Sequence, residues 1–184
     1  ESEAHKPRMF DSAFDAYYGW EMHHVFNKIY AGELSASEII RVMNDKDSIC
    51  GDHVFPMNFI TNHDENSWNG TIDERLRESW EAMAVLSYSL RGMPLIYSGQ
   101  EYDLDHRLLF FEKDQIPHTK KTMWSLLEKL GQLKNSSPAL NGGKNAAVYN
   151  KIDQDNSKVL AFKRVKGGQT ITFLGNFSST NEQL

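Results

Sequence analysis

Phe59-Ile60-Thr61-Asn62-His63-Asp64-Glu65-Asn66 is the stretch on which the reading of the fold turns. Its first three residues close a mostly buried strand that Pro56 can open and that runs through Met57 and Asn58. The remainder, continued by Ser67, is uninterrupted polar sequence. Polar residues gathered at the end of a strand, rather than along it, mark a turn or a site.

Downstream, residues 72–91 predict one long helix. Asp73 and Glu74 in its first turn and Arg91 in its last suit the helix macrodipole. Trp80, Met83, Ala84, Leu86, Tyr88 and Leu90 make it apolar enough to pack on a sheet, and Gly92 stops it. Residues 93–99 then predict a short buried strand that ends in a second polar turn, Gly99-Gln100-Glu101. A loop to His118 and a helix over 119–134 follow, with Met123, Leu126, Leu127, Leu130 and Leu133 on one side.

Upstream, residues 13–18 predict a strand ended by Gly19. Residues 20–30 predict a helix with Trp20, Val25, Phe26 and Ile29 as its apolar stripe. Ser35 and Glu38 are spaced as a capping box for a second helix carrying Ile39, Ile40 and Val42. Strand and helix alternating in this way imply an α/β fold with parallel strands and right-handed crossovers. Two architectures fit: an open doubly wound sheet, or part of a (β/α) barrel. In both, function gathers at the C-terminal ends of the strands, where the two polar turns fall.

The chain changes character near Pro138. Asn141-Gly142-Gly143 reads as a turn, and strand-like runs follow over 145–152, 159–165 and 169–177. Asp155-Asn156 and Gly167-Gly168 separate them at hairpin spacing, which predicts an antiparallel meander. The expected organisation is a (β/α) unit over 1–138 and a smaller β unit over 139–184.

Composition narrows the class. The 184 residues are 40% hydrophobic and 24% charged, enough for a core without disulfide staples. Twenty basic against 25 acidic residues leave no positive excess to track phosphates, so nucleic acid is not an expected partner. Cys50 is the only cysteine, which excludes an internal disulfide and a zinc–thiolate cluster, and it reads as structural. One cysteine is compatible with either redox compartment. No apolar run approaches the roughly 18 residues of a membrane helix. Glu1-Ser2-Glu3-Ala4-His5-Lys6-Pro7 lacks the apolar core of a signal peptide and an initiator methionine, and reads as a cut end.

The chemistry concentrates in Asn62 to Asn66. A carboxylate beside a histidine at a parallel strand end can act as acid or base, bind a metal, or grip sugar hydroxyls; the bland alternative is a turn that caps the next helix. Residues 92–101 offer glycines for close backbone approach and Tyr97 for a ring face and a hydroxyl, against the plainer reading of a buried strand with a glycine turn. Tyr17, Tyr18, Trp20, Trp68, Tyr97 and Tyr102 lie near predicted strand ends. Trp68 stands out because it sits in a polar loop between Asn66 and Asn69. Adjacent helical residues point about 100° apart, so His23-His24 is a poor metal pair.

These residues carry a resemblance. Phe59 to Asn66 resembles the seventh-strand motif of the alpha-amylase family of glycoside hydrolases. Residues 92–101 resemble the eighth-strand motif, glycine–x–proline–x–isoleucine–tyrosine–x–glycine–x–glutamate, and Ala13 to Trp20 is similar to the sixth strand. The resemblance implies the last three strand–helix units of a (β/α)8 TIM barrel, strands six to eight, followed by a truncated C-terminal antiparallel β domain.

It also implies roles. Asp64 matches the aspartate that stabilises the transition state, and His63 the histidine that holds the same sugar. Asn62, Trp68 and Tyr97 fall where the substrate would bind. Glu1 or Glu3 would supply the general acid, which the family carries at the end of the fifth strand. The nucleophilic aspartate of the family lies on the fourth strand, to which nothing here corresponds. The implied activity is retaining hydrolysis of α-linked glucans such as starch and maltooligosaccharides, and the chain alone is expected to be inactive. The alternatives are a glucan-binding module without catalysis and one half of a two-chain enzyme, partnered by the missing N-terminal part of the barrel. Neither a metal nor another cofactor is expected, and digestion of a polymer favours a secreted parent enzyme.

Overall fold

The computed structural model describes residues 10, 13–50, 54–153 and 155–182, over 46–50 the backbone alone. Glu1, Glu3 and the Cys50 side chain lie outside the described residues. Strands β1 (Ala16–Tyr18), β2 (Phe55–Asn58) and β3 (Met93–Pro94) form a parallel sheet with β2 in the centre. Tyr18 pairs with Met57, and Met57 with Met93. The parallel alternation expected from the sequence is the one that forms.

Helices α1 (Trp20–Tyr30) and α2 (Ser37–Cys50) connect β1 to β2. α1 has the expected bounds because Met22, Val25, Phe26 and Ile29 recur at helical spacing and are all buried. Trp20, read as part of that stripe, is half-buried at its margin. The Ser35–Glu38 capping box does not form. The Ser35 hydroxyl lies 2.6 Å from that of Ser37, and the Glu38 carboxylate takes a hydrogen bond from Arg41 at 2.7 Å.

Between β2 and β3 the expected single helix is three pieces: α3 (Ile72–Leu76), a 3-10 turn (Arg77–Ser79) and α4 (Trp80–Ser89). Arg77 adopts φ +40°, outside the right-handed helical region, and so ends α3. A capping box opens α3. The Thr71 hydroxyl accepts from the Glu74 N–H at 3.1 Å, and Glu74 Oε2 accepts from the Thr71 N–H at 2.7 Å. Arg91 lies beyond α4 and does not complete its last turn. The last carbonyls of α4 instead meet distant cations: Arg164 donates to Ser89 and Leu90 at 3.1 Å, and Lys134 to Tyr88 at 3.1 Å.

Gly92 brings the chain in beside β2. It has φ +113°, and a β-carbon there would lie 2.3 Å from the Pro56 carbonyl oxygen, so no side chain fits. The strand after it is shorter and more open than its apolar composition suggests. Only Met93–Pro94 pairs, and Met93 and Ile96 are 41% and 45% exposed. β3 is an edge strand among the described residues, so its outer flank meets solvent.

A long loop leads to α5 (Thr122–Ser136), which starts three residues later than expected. Asp103, at φ +53°, sets that start: its carboxylate accepts the Thr122 and Met123 N–H groups at 3.0 and 2.8 Å. Met123, Leu127 and Leu130 of α5 are buried, while Leu133, expected on the same side, is 41% exposed. The predicted meander forms as β4 (Val148–Lys151), β5 (Val159–Lys166) and β6 (Gln169–Asn176), antiparallel in that order. Lys166 pairs with Gln169 across Gly167-Gly168, whose φ angles of +58° and +75° are those a tight two-residue hairpin needs. Leu160, Phe162 and Phe173 of this sheet share one core with Phe26, Ile39, Leu76, Met83 and Leu86.

Candidate functional site

The chain leaves β2 buried and surfaces within a few residues. Phe59, Ile60, Thr61 and Asn62 are buried, whereas the side chains of His63 and Asp64 are 38% and 35% exposed. Asn62 makes this turn. Its Oδ1 accepts the N–H groups of Asp64 at 3.0 Å and Glu65 at 2.8 Å, in the manner of a helix cap. The capping reading of the cluster holds for Asn62, which fixes the backbone, and the Asp64 side chain is not part of the cap. The carboxylate of Asp64 lies 3.6 Å from the His63 ring.

Glu65 points the other way, into the protein. Its carboxylate accepts from His23 Nε2 at 2.8 Å and from the Asn69 amide at 2.8 Å, and Arg75 lies 3.8 Å away. Arg75 in turn donates to the carbonyls of Ile60 and Gly70 and to the Asn27 side chain. Burial opposes the Glu65 charge, but His23, Asn69 and Arg75 outweigh it and hold its pKa at about 2. Burial lowers the pKa of His23 against the pull of Glu65. The His23 ring also stacks on Phe59, centroid to centroid 4.7 Å. This network braces the end of β2 and the π-helical turn Glu65–Asn69 that follows it. In the sequence, His23 is half of a poor metal pair and Glu65 has no assigned role. The burial of the face carrying His23 was legible in the α1 periodicity, but its partner 42 residues away was not.

Aromatic rings border His63 and Asp64. Tyr18, at the end of β1, lies edge-on to His63 at 6.3 Å, and Phe110 also lies 6.3 Å from His63. Trp68 is 56% exposed and 5.1 Å from Phe110. Residues 102–118 read as a loop in the sequence, where Phe110 and Phe111 carry no assigned role. Their signal was an aromatic pair followed by Glu112-Lys113-Asp114. Tyr97 stands apart: its ring contacts no other aromatic ring among the described residues, and its backbone N–H is held by Gln100 at 3.3 Å. Burial raises the pKa of its hydroxyl. No group of three or more His, Cys, Asp or Glu side chains is placed to hold a metal among the described residues. No helix among them is long and apolar enough to cross a membrane.

A parallel β/α sheet thus carries a partly exposed carboxylate and histidine beyond the C-terminal end of its central strand. Known proteins of similar sequence and fold give it a family context. Over 132 residues, 70% of the chain, it is 28% identical to Alpha-amylase MalA of Haloarcula japonica, of which it covers 19%. Over 157 residues, 79% of the chain, it is 27% identical to an alpha-amylase of Saccharomycopsis fibuligera, covering 29% of that protein. The crystal structure of a maltogenic alpha-amylase, AmyB from Thermotoga neapolitana, superposes on 94% of the chain with a TM-score of 0.79 and 25% identity. The chain covers 40% of AmyB. No family model matches the chain. The resemblance read from the motifs is therefore one of sequence and of fold: the chain is similar to alpha-amylase-family glycoside hydrolases and spans less than half the length of these relatives.

Proposed function

We propose that this chain carries part of the α-glucan site of a retaining glycoside hydrolase. The parallel sheet corresponds to strands six to eight of a (β/α)8 barrel, within a catalytic unit over 1–138, and β4–β6 belong to a C-terminal β unit over 139–184. The observation that carries the reading is the placement of Asp64: partly exposed beside His63, beyond the C-terminal end of β2, on a backbone capped by Asn62.

In this role Asp64 holds sugar hydroxyls and stabilises the positive charge that develops on the ring in an oxocarbenium-like transition state. A carboxylate held in place before reaction favours that state over the ground state. His63 holds the same sugar, Asn62 acts by positioning Asp64, and Trp68 and Tyr97 offer ring surfaces to the glucan. The general acid is Glu1 or Glu3. Retention requires two carboxyl groups flanking the bond, about 5 Å apart. Glu65 cannot be the second one, because its carboxylate is committed to His23, Asn69 and Arg75.

The 184-residue chain by itself does not cleave maltooligosaccharides; the alternatives are a glucan-binding module without catalysis and one half of a two-chain enzyme. The edges of its parallel sheet, β1 and β3, are where the remaining strands of a barrel would pair. Incubation with maltoheptaose followed by chromatography tests the reading. Unchanged maltoheptaose is expected, and shorter maltooligosaccharides released by pure protein would overturn the assignment of the nucleophile to a strand outside this chain.

A further inference from the structure

His23 closes a clamp on the segment that carries the candidate site. Its Nε2 meets the Glu65 carboxylate at 2.8 Å, and its Nδ1 lies 3.3 Å from the Phe59 carbonyl oxygen. Phe59 and Glu65 are the two ends of that segment, with Asn62, His63 and Asp64 between them. One rigid ring on α1 thus touches the chain before and after the residues of the site. The side chain is buried, and its ring stacks on that of Phe59 at 20°. Packing as well as hydrogen bonding therefore fixes its orientation.

Both ring nitrogens face oxygen acceptors, and only an imidazolium donates to both. Glu65, ionised with a pKa of about 2, assigns one proton to Nε2. The Asn27 amide lies 3.1 Å from the same nitrogen, but it donates to the His23 carbonyl at 2.8 Å while its oxygen accepts from Arg75 at 3.0 Å. In the neutral ring, Nδ1 then aims a lone pair at the Phe59 carbonyl. A second proton turns that contact into a hydrogen bond. Burial and the Arg75 guanidinium oppose the second proton, and the two acceptors favour it. Their balance puts the change of charge below the ordinary 6.5 of histidine. The charged groups facing the ring are Glu65 from the π-helical turn and Arg75 from α3. On α1 itself the His24 ring lies 5.8 Å away, and the strand exit presents the uncharged carbonyl and ring of Phe59.

We propose that His23 is a positioning residue for Asp64 that works by taking up a proton: the imidazolium ties Phe59 to Glu65 and holds the segment between them in the form that grips the sugar. The proposal rests on the functional reading above. In the neutral ring one end of the clamp is open, and residues 60–64 keep more freedom between Phe59 and the turn capped by Asn62. With both bonds made, Asp64 has less of that freedom to lose on binding. By linkage, a sugar that favours the protonated form raises the pKa of His23, and affinity rises as pH falls through that pKa.

Nitrogen-15 NMR of the histidine rings from about pH 8 to about pH 4.5, on the full chain with and without saturating maltoheptaose, tests this. Nδ1 of His23 should gain its proton in one step, and the backbone signals of residues 60–65 should follow with the same midpoint. Maltoheptaose should raise that midpoint by about half a unit, a roughly threefold gain in affinity across the step. In His23→Gln, which keeps an amide N–H for Glu65 and takes up no proton, maltoheptaose affinity should lack that step. The titration of the unmodified chain decides the matter without the variant. A ring that stays singly protonated over the range, site signals that ignore its titration, or a midpoint that bound maltoheptaose leaves in place would each overturn the proposal while leaving the reading of Asp64 intact. Absence of any maltoheptaose-induced shift at every pH would overturn the functional reading itself, and the proposal with it.

Discussion

Nε2 of His23, on α1, lies 2.8 Å from Oε2 of Glu65, on the turn that carries the candidate site outward from β2. The two residues are 42 positions apart, and both are buried. Removing one partner leaves the other polar or charged without compensation inside the protein, the costly case for a buried pair. Glu65→Ala is expected to destabilise the fold by about 3–5 kcal/mol. Urea unfolding measures this, and a loss below about 1 kcal/mol would show that the pair does not brace the turn.

The same pair makes stability depend on pH in one direction. Glu65 has a pKa of about 2 when folded against 4.5 as a free side chain, so its contribution is complete above 4.5 and is lost as pH falls through 2. His23 is held below 6.5, so the unfolded chain takes up its proton first, and acid below 6.5 also favours unfolding. Melting temperature should therefore fall steadily on acidification from about pH 6.5. Glu65→Gln should flatten the part below about pH 4.5, and an unchanged slope there would assign the acid sensitivity to other groups.

Arg164 is 1% exposed, and its guanidinium joins β5 to the end of α4 and to the Asn141 carbonyl. Arg164→Met keeps the apolar length but strips buried carbonyls of their donors. About 3 kcal/mol of stability should be lost. Arg164→Lys should recover only part of it, because a single ammonium does not reproduce the planar fork. Full recovery by lysine in chemical denaturation would reduce the contact to a matter of charge.

The Thr71–Glu74 capping box predicts a smaller effect. Thr71→Ala should cost about 1 kcal/mol, and Thr71→Ser should cost much less because the hydroxyl remains. Equal losses in the two variants would point to the methyl group instead of the cap.

Sequence legibility followed the range of the interactions. α1 was readable to the residue because its burial pattern is local and periodic, and the β5–β6 hairpin because Gly167-Gly168 names its own turn. The break at Arg77 was not, since the apolar pattern continues across it into Trp80 and only the backbone leaves the helix. β3 reads as buried from composition alone, but exposure at Met93 and Ile96 depends on which strands pair beside it. Asp103 caps α5 from 19 residues away, a distance at which spacing carries no signal. At the site, the motif located Asn62, His63 and Asp64 correctly at a strand end. The motif singles out Asp64, but nothing local says that the adjacent Glu65 turns inward to His23.

The central claim is that α-glucan binds at the C-terminal end of β2 through Asp64. Mapping amide chemical shifts during a titration with maltoheptaose tests it most directly, with Asp64→Asn as the paired variant. Saturable shifts centred on residues 62–68 and 105–111 are expected in the unmodified chain, with their collapse in Asp64→Asn. Shifts confined to other surfaces, or identical saturation in both proteins, would contradict it.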